Sequence, residues 1–303
     1  MHLVPVTPPA HVQVYSGFDY VTSDADRRRV YAAHTGSQTL LVVNADSGAI
    51  LGQVDVGGPL HGVAVDPVTG HVYTGDGLAR TVSEVDPATM AVVHSADVPG
   101  SVDAIAYDPA LHRVYADEDD GTHMYVVNTQ TMKMIAAIPL PGHKPEYLAI
   151  DPQTHDVYQN IDNLGEVAVV NADQMKVSRT FPTPVIKRNH PLQYDSAYHI
   201  IMVGGKNGTV AAYSREGKLL GTASIQAEVD QCDYNPGKHL LACAGSSKVT
   251  VLRLSSAGQL SIVATADVPA EAHTLAFDDR TGNLWIVWSA TSGDFVQELT
   301  LQQ

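Results

Sequence analysis

An apolar pair, Val-Tyr in its fullest form, recurs along the whole chain. It stands at Val30-Tyr31, Val72-Tyr73, Val114-Tyr115, Val157-Tyr158, Ile200-Ile201, Leu240-Leu241 and Leu284-Trp285. The second members are 42, 42, 43, 43, 40 and 44 residues apart. Turn-forming runs precede most of the pairs: Asp66-Pro67-Val68-Thr69-Gly70, Asp108-Pro109, Asp151-Pro152, Asn235-Pro236-Gly237 and Asp278-Asp279-Arg280-Thr281-Gly282. Alternating stretches such as Thr39–Val43, Met124–Val127 and Ile50–Val56 follow them. No window holds a helical period over three turns. Four short strands every 40–45 residues is the pattern of a propeller blade, and seven such units predict an all-β, seven-bladed β-propeller.

The ends fit that reading. The seventh unit stops after its third strand, near Phe295–Leu301, while His11–Ser16 ahead of the first unit alternates like a lone strand. The N-terminal strand 11–16 is therefore expected to complete the last blade and close the ring. Residues 1–303 are expected to form one domain, because no blade can bury both its faces alone.

A second column runs through the units. The first strand of each opens with an acid or a histidine: Asp19, His61, Asp103, Glu146, His190, Asp230 and His273. Acids and histidines make up about one residue in six of the chain, so seven in one column is not chance. The column assumes a turn one residue shorter in units five and six; without it, Asn189 and Val229 replace His190 and Asp230. A circular fold brings the column together around its axis, and converging titratable groups are what metal and acid–base sites are made of.

The units resemble the YVTN family of bacterial seven-bladed propellers, through Tyr31-Ala32-Ala33-His34, Tyr73-Thr74-Gly75-Asp76, Tyr115-Ala116-Asp117-Glu118 and the continuation Leu41-Val42-Val43-Asn44-Ala45-Asp46-Ser47-Gly48. The likeness covers essentially the whole chain and implies fold more than function, since such propellers serve as binding proteins, scaffolds and enzymes. The motif's Asn is replaced by His34, Asp76 and Glu118. In propellers of this type that loop shares a face with the start of the first strand, so these three are expected as an outer ring at the same mouth. Family members are often exported, which implies a periplasmic or secreted protein.

The formal net charge of −15 argues against nucleic-acid binding. The one basic run, Arg27-Arg28-Arg29, reads as a solvated turn far from the mouth. Apolar runs of 18 residues are absent, so no membrane span is expected, and a monomer is expected. Residues Met1–Pro5 do not read as a signal peptide. Cys232 and Cys243 flank the turn of the sixth unit; two buried thiols are favoured over a cross-strand disulfide. His71, His112, His155, His199 and His239 fall near the turns of the opposite face and read as surface residues.

Within the column, the histidines belong to units two, five and seven, about 154°, 103° and 103° apart on a seven-fold ring. His61, His190 and His273 are therefore expected to share one axial divalent metal ion: Zn, Cu, Ni, Mn or Fe. Asp19, Asp103, Glu146 and Asp230 are expected to orient the imidazoles or act as bases, with His34, Asp76 and Glu118 around them. Lys144 and Arg188, each two residues before a ring group, are expected to clamp an anionic part of a small-molecule substrate. Two functions follow: a metal-dependent enzyme of lyase or hydrolase type acting on a small anionic or polyhydroxylated molecule, or a non-catalytic exported propeller that binds a metal, a ligand or a partner.

Overall fold

The structure, a computed structural model, describes residues 1–12 and 16–302. It is a ring of seven antiparallel sheets, six of them each the product of one sequence unit. Blade 1 is Val21–Asp24, Arg29–His34, Thr39–Asn44 and Ile50–Asp55; blade 4 is Pro145–Ile150, Val157–Ile161, Glu166–Asn171 and Lys176–Pro182. The register repeats: Tyr31 faces Val42, Tyr115 faces Val126 and Tyr158 faces Val169. The recurring pair is central because neighbouring residues of a strand point to opposite faces. Val30 packs with Trp285 and Val287 of blade 7. Tyr31 joins the cluster that holds Leu60, Val72 and Val85 of blade 2. Each pair thus glues its blade to both neighbours.

The seventh blade is Thr274–Phe277, Leu284–Ala290 and Gly293–Gln302, closed by chain from the N-terminus. His2–Pro5 pairs with Leu299–Gln302, and Ala10–Val12 pairs with Asp294–Val296. The closing strand thus starts earlier than the sequence suggests and comes in two pieces; Gln13, Val14 and Tyr15, in the expected 11–16 strand, lie outside the described residues.

The turns before each second strand share one geometry. Asp66, Asp108, Asp151 and Asp278 each accept a backbone N–H two residues on, at 2.8–3.0 Å. The residue four positions on is left-handed: Arg28, Gly70, His112, His155, His199, His239 and Gly282 have φ between 51° and 80°. From there the side chain can reach back to the preceding blade. His155 Nδ1 lies 2.8 Å from Asp108 and His239 Nδ1 3.0 Å from Asp195, while Arg28 donates to Asp278 at 2.8 Å. These are clasps between blades, which corrects the surface reading of His155, His239 and the Arg27–Arg29 turn. Arg28 is nearly buried, and Arg27 donates to Asp24 and to the carbonyls of Pro67 and Val68.

Cys232 and Cys243 form a disulfide, contrary to the expected pair of thiols. They sit directly opposite each other in the hairpin, with Cα atoms 4.1 Å apart, and both are buried. Among the described residues no helix is long and apolar enough to cross a membrane.

Candidate functional site

In blades 2 to 5 the first strand begins irregularly. Its pairing register shifts between Leu60 and Val63, Val102 and Ile105, Glu146 and Leu148, and Asn189 and Leu192. A bulge re-aims the residue it contains, and His61, Asp103, Glu146 and His190 all sit at these shifts. Gly62 lets the next blade close in, since a Cβ there would lie 2.5 Å from the Asp103 carbonyl.

The contacts among the seven column residues join them into two groups, Asp19–His61–Asp103 and Glu146–His190–Asp230–His273. His61 Nδ1 is 2.6 Å from Asp19 and 4.0 Å from Asp103. His190 lies between two carboxylates, with Nδ1 2.9 Å from Glu146 and Nε2 2.8 Å from Asp230. Asp230 also receives His273 Nδ1 at 2.7 Å and the Lys206 ammonium. These contacts select the register in which His190 and Asp230 occupy the column. Asn189 instead is buried against Thr183, and Val229 lies in the core.

In blade order the ring reads Asp, His, Asp, Glu, His, Asp, His, so acids and imidazoles nearly alternate. An odd ring cannot alternate throughout, and the one like pair is Asp103–Glu146. The electrostatics follow. Burial disfavours charge on His190, but Asp230 and Glu146 outweigh it and raise its pKa to about 9. His61 and His273 are likewise raised by Asp19 and Asp230 against the effect of burial. Asp230, although buried, is held well below the usual carboxylate range by His190, His273 and Lys206. Asp103 shows the opposite: burial, then Asp19, Asp117 and Glu146, push it well above that range. Asp117, buried and bonded to Gln159 and the Ala104 N–H, is pushed the same way by burial.

Below the ring the channel is stoppered. Tyr20 of blade 1 and Tyr147 of blade 4 meet with ring centres 5.0 Å apart and planes tilted by 40°. Residues from blades so far apart around the ring can touch only near the axis. Tyr147 is left-handed (φ 51°) within its bulge, which turns it inward. Both rings are buried, and the Tyr147 hydroxyl has no hydrogen-bond partner among the described residues.

The three-imidazole metal site is not what these contacts build. His190 has a carboxylate at each nitrogen, while a metal ligand needs a free, neutral nitrogen. His273 Nδ1 is held by Asp230, as His61 Nδ1 is by Asp19. Among the described residues, the set with ligand atoms all within 4.8 Å of one another is Asp19, His61 and Asp103, and His273 joins no such set. The expected outer ring also dissolves. His34 is fully buried at the seam of blades 1 and 7, bonded to Asp294 and Ser16 and stacked on Phe18. Asp76 accepts from Ser83 and Thr81 in its own blade, and burial lifts its pKa to about 6. Glu118 accepts from Tyr125 and the Thr122 N–H. Lys144 lies 3.8 Å from Glu146 and 3.9 Å from Asp162; Arg188 lies 3.8 Å from Glu228. Sequence reasoning missed Lys206, in a loop outside the repeat register, and the Tyr20–Tyr147 stopper, although both tyrosines directly follow column residues.

No family model and no curated protein matches this chain. Solved structures do. Hydrazine synthase of Kuenenia stuttgartiensis matches at a TM-score of 0.80 and 16 % identity, over 95 % of this chain and 97 % of that one. The WD40 repeats of RRP9 match at 0.82 and 11 %, over 98 % and 97 %. U3-55K matches at 0.81 and 12 %, over 99 % and 98 %. At such identities the likeness carries the fold alone: this chain is a seven-bladed β-propeller.

Proposed function

We propose that the ring is a divalent-cation site held by Asp19, His61 and Asp103, in an enzyme of lyase or hydrolase type that acts on a small carboxylate-bearing or polyhydroxylated molecule. The observation that carries this is the clustering of those three ligand atoms within 4.8 Å, which brings the carboxylates of Asp19 and Asp103 together. A cation there supplies the positive charge that Asp103 lacks. One nitrogen and two carboxylate oxygens suit Mn, Fe or Zn better than Cu or Ni. Three protein ligands leave positions open toward the mouth, the arrangement of catalytic rather than structural sites. When bound, the ion supplies Lewis-acid polarisation of a substrate oxygen.

The chain's own groups divide the remaining work. Asp230 holds His273 by Nδ1, which leaves Nε2 for proton transfer at the mouth, the geometry of a carboxylate-oriented acid–base. His190 stays protonated between Glu146 and Asp230 and fixes both carboxylates in place. The Tyr20–Tyr147 stopper limits entry of water from below. The disulfide favours an oxidising, periplasmic or secreted location. The likeness to the YVTN units agrees with an exported propeller.

Metal analysis of the purified protein, then calorimetric titration of Mn and Zn into chelated protein, tests the site. One equivalent should bind, and Asp103→Asn or His61→Ala should abolish it. Stoichiometric binding that survives both substitutions refutes the assignment. A panel of acidic sugars and lactones then separates an enzyme from the non-catalytic binding propeller, which has no turnover to lose when His273 is changed to Gln.

A further inference from the structure

Two residues before each ring group stands a rim residue. In blades 1 to 3 these are the uncharged Gly17, Pro59 and Ser101; in blades 4 to 7 they are Lys144, Arg188, Glu228 and Glu271. The last four are all left-handed, with φ of 61°, 54°, 51° and 66°, a conformation that residues other than Gly seldom adopt. Their charges therefore run plus, plus, minus, minus along one arc of the mouth. Arg188 and Glu228 meet at 3.8 Å with side chains 59 % and 62 % exposed, an ion pair loose enough to exchange for a ligand.

Inside the negative half of the arc lies a cavity of about 340 Å³, lined by Lys206, Glu228, Ser246, Ser247, Glu271 and His273. Ser246 and Ser247 are also left-handed. Lys206 is turned onto Asp230, away from Glu228 and Glu271, whose carboxylates line the cavity with the hydroxyls of Ser246 and Ser247. Glu271 and His273 border a second cavity of about 340 Å³ beside Phe18, which gives room for a side chain. At the axis, the buried Tyr147 hydroxyl is unpartnered among the described residues.

A free anion does not fit this arc. It would meet Glu228 and Glu271 in a protein of net charge −15. A plain cation would leave Arg188 without a partner. A molecule with both charges close together satisfies each half. We propose that the mouth recognises a free α-amino acid, its ammonium between Glu228 and Glu271 and its carboxylate on Arg188, which breaks the 3.8 Å pair and replaces it by two ligand contacts. This rests on the mouth being the ligand site, and it names the substrate class for the proposed function. It does not rest on the metal, because the charged arc is built from blades 4 to 7 and Asp19, His61 and Asp103 belong to blades 1 to 3.

The test is calorimetry on the full, chelated protein with the free L-amino acids, and with the N-acetyl and amide forms of any that bind. At least one amino acid is expected to bind with a Kd below about 1 mM. Capping either its amine or its carboxylate should weaken it at least about tenfold. Glu271→Gln and Arg188→Gln should each weaken it similarly, while Arg29→Gln on the far face should not. Absence of binding by every amino acid, equal binding of the capped forms, or indifference to Glu271→Gln and Arg188→Gln overturns the proposal. Amino-acid binding by a protein that takes up no Mn or Zn supports the proposal and removes only the metal reading. Metal binding with no amino acid bound does the reverse.

Discussion

The ring makes its sharpest prediction at His190. This imidazole bridges Glu146 and Asp230 at 2.9 and 2.8 Å and is only 17 % exposed. A pKa moved from 6.5 to about 9 corresponds to about 3 kcal/mol of preference for the charged ring. The contacts give a similar figure by another route. The Nε2 hydrogen bond to Asp230 contributes about 1.5–3 kcal/mol, and the Glu146 carboxylate 2.9 Å from Nδ1 adds charge attraction. Lys144 and Lys206 partly cover the two carboxylates once His190 is gone. His190→Gln should therefore lower stability by about 3 kcal/mol near pH 6. Because the folded pKa is the raised one, this contribution is fully present below the unfolded value of 6.5. It fades as pH rises through about 9 and is gone above it. The gap between wild type and variant should thus close by pH 10. Guanidinium unfolding midpoints, followed through the fluorescence of Trp285 and Trp288 in blade 7, measure it without assuming that seven blades unfold in one step. An equal gap at pH 6 and pH 10, or a His190 imidazole that titrates near 6.5 by NMR, refutes the reasoning.

Three further outcomes follow from the same geometry. Asp103→Asn in chelated protein should cost less stability than Asp230→Asn, because burial, then Asp19, Asp117 and Glu146, already disfavour charge on Asp103, whereas His190, His273 and Lys206 favour it on Asp230; an equal or larger loss at Asp103 would contradict this. Replacing Cys232 and Cys243 together by Ala should lower stability by about 3 kcal/mol, from the loop entropy of an 11-residue separation, and an unchanged midpoint contradicts the crosslink. Deleting residues 1–12 removes both strands that cover Gly293–Gln302. The melting temperature should then fall sharply, and an unchanged melting curve counts against closure of the ring by the N-terminus.

The blades were legible because their signals are local: strand alternation, a Val-Tyr core pair and an Asp-led turn recur within each unit. The column was legible only because the repeat supplied an internal alignment. The disulfide had a signal too. In a hairpin turning at Asn235-Pro236-Gly237, Tyr234 pairs with Leu241, so Cys232 must face Cys243; what composition did not supply was the redox state. Pairings across blades were not legible. Nothing local ties His34 to Asp294, 260 positions away across the seam, and Lys206 lies beyond the strand whose register defined the repeat. The 3-2-2 spacing of the histidines suggested convergence on one ion, yet each imidazole has an acid one blade away and another imidazole no nearer than two. Charge pairing at the shorter separation wins.

That preference, with the odd number of blades, fixes where the site is unsatisfied. Six or eight blades could alternate acid and imidazole without remainder; seven cannot. Exchanging an acid for a histidine only moves the like pair. Changing Asp103 to His would pair two imidazoles instead of two acids, and the ring would then lack an acceptor rather than a cation. In this chain the remainder falls between Asp103 and Glu146 in blade order, and Asp103 also has a carboxylate oxygen of Asp19 within 4.8 Å and the buried Asp117 pushing its pKa up. Lys144 sits only at the outer edge, 3.8 Å from Glu146. Two responses are open to such a pair: Asp103 takes a proton, or a bound cation takes its place. Metal and proton must then compete for Asp103. Affinity for Mn in wild type should rise with pH through the range in which that proton is lost, releasing a proton for each ion bound. Calorimetry in buffers of different ionisation enthalpy reads that proton directly. Proton release that is absent in wild type, or unchanged in Asp103→Asn, would place the cation elsewhere than at Asp103.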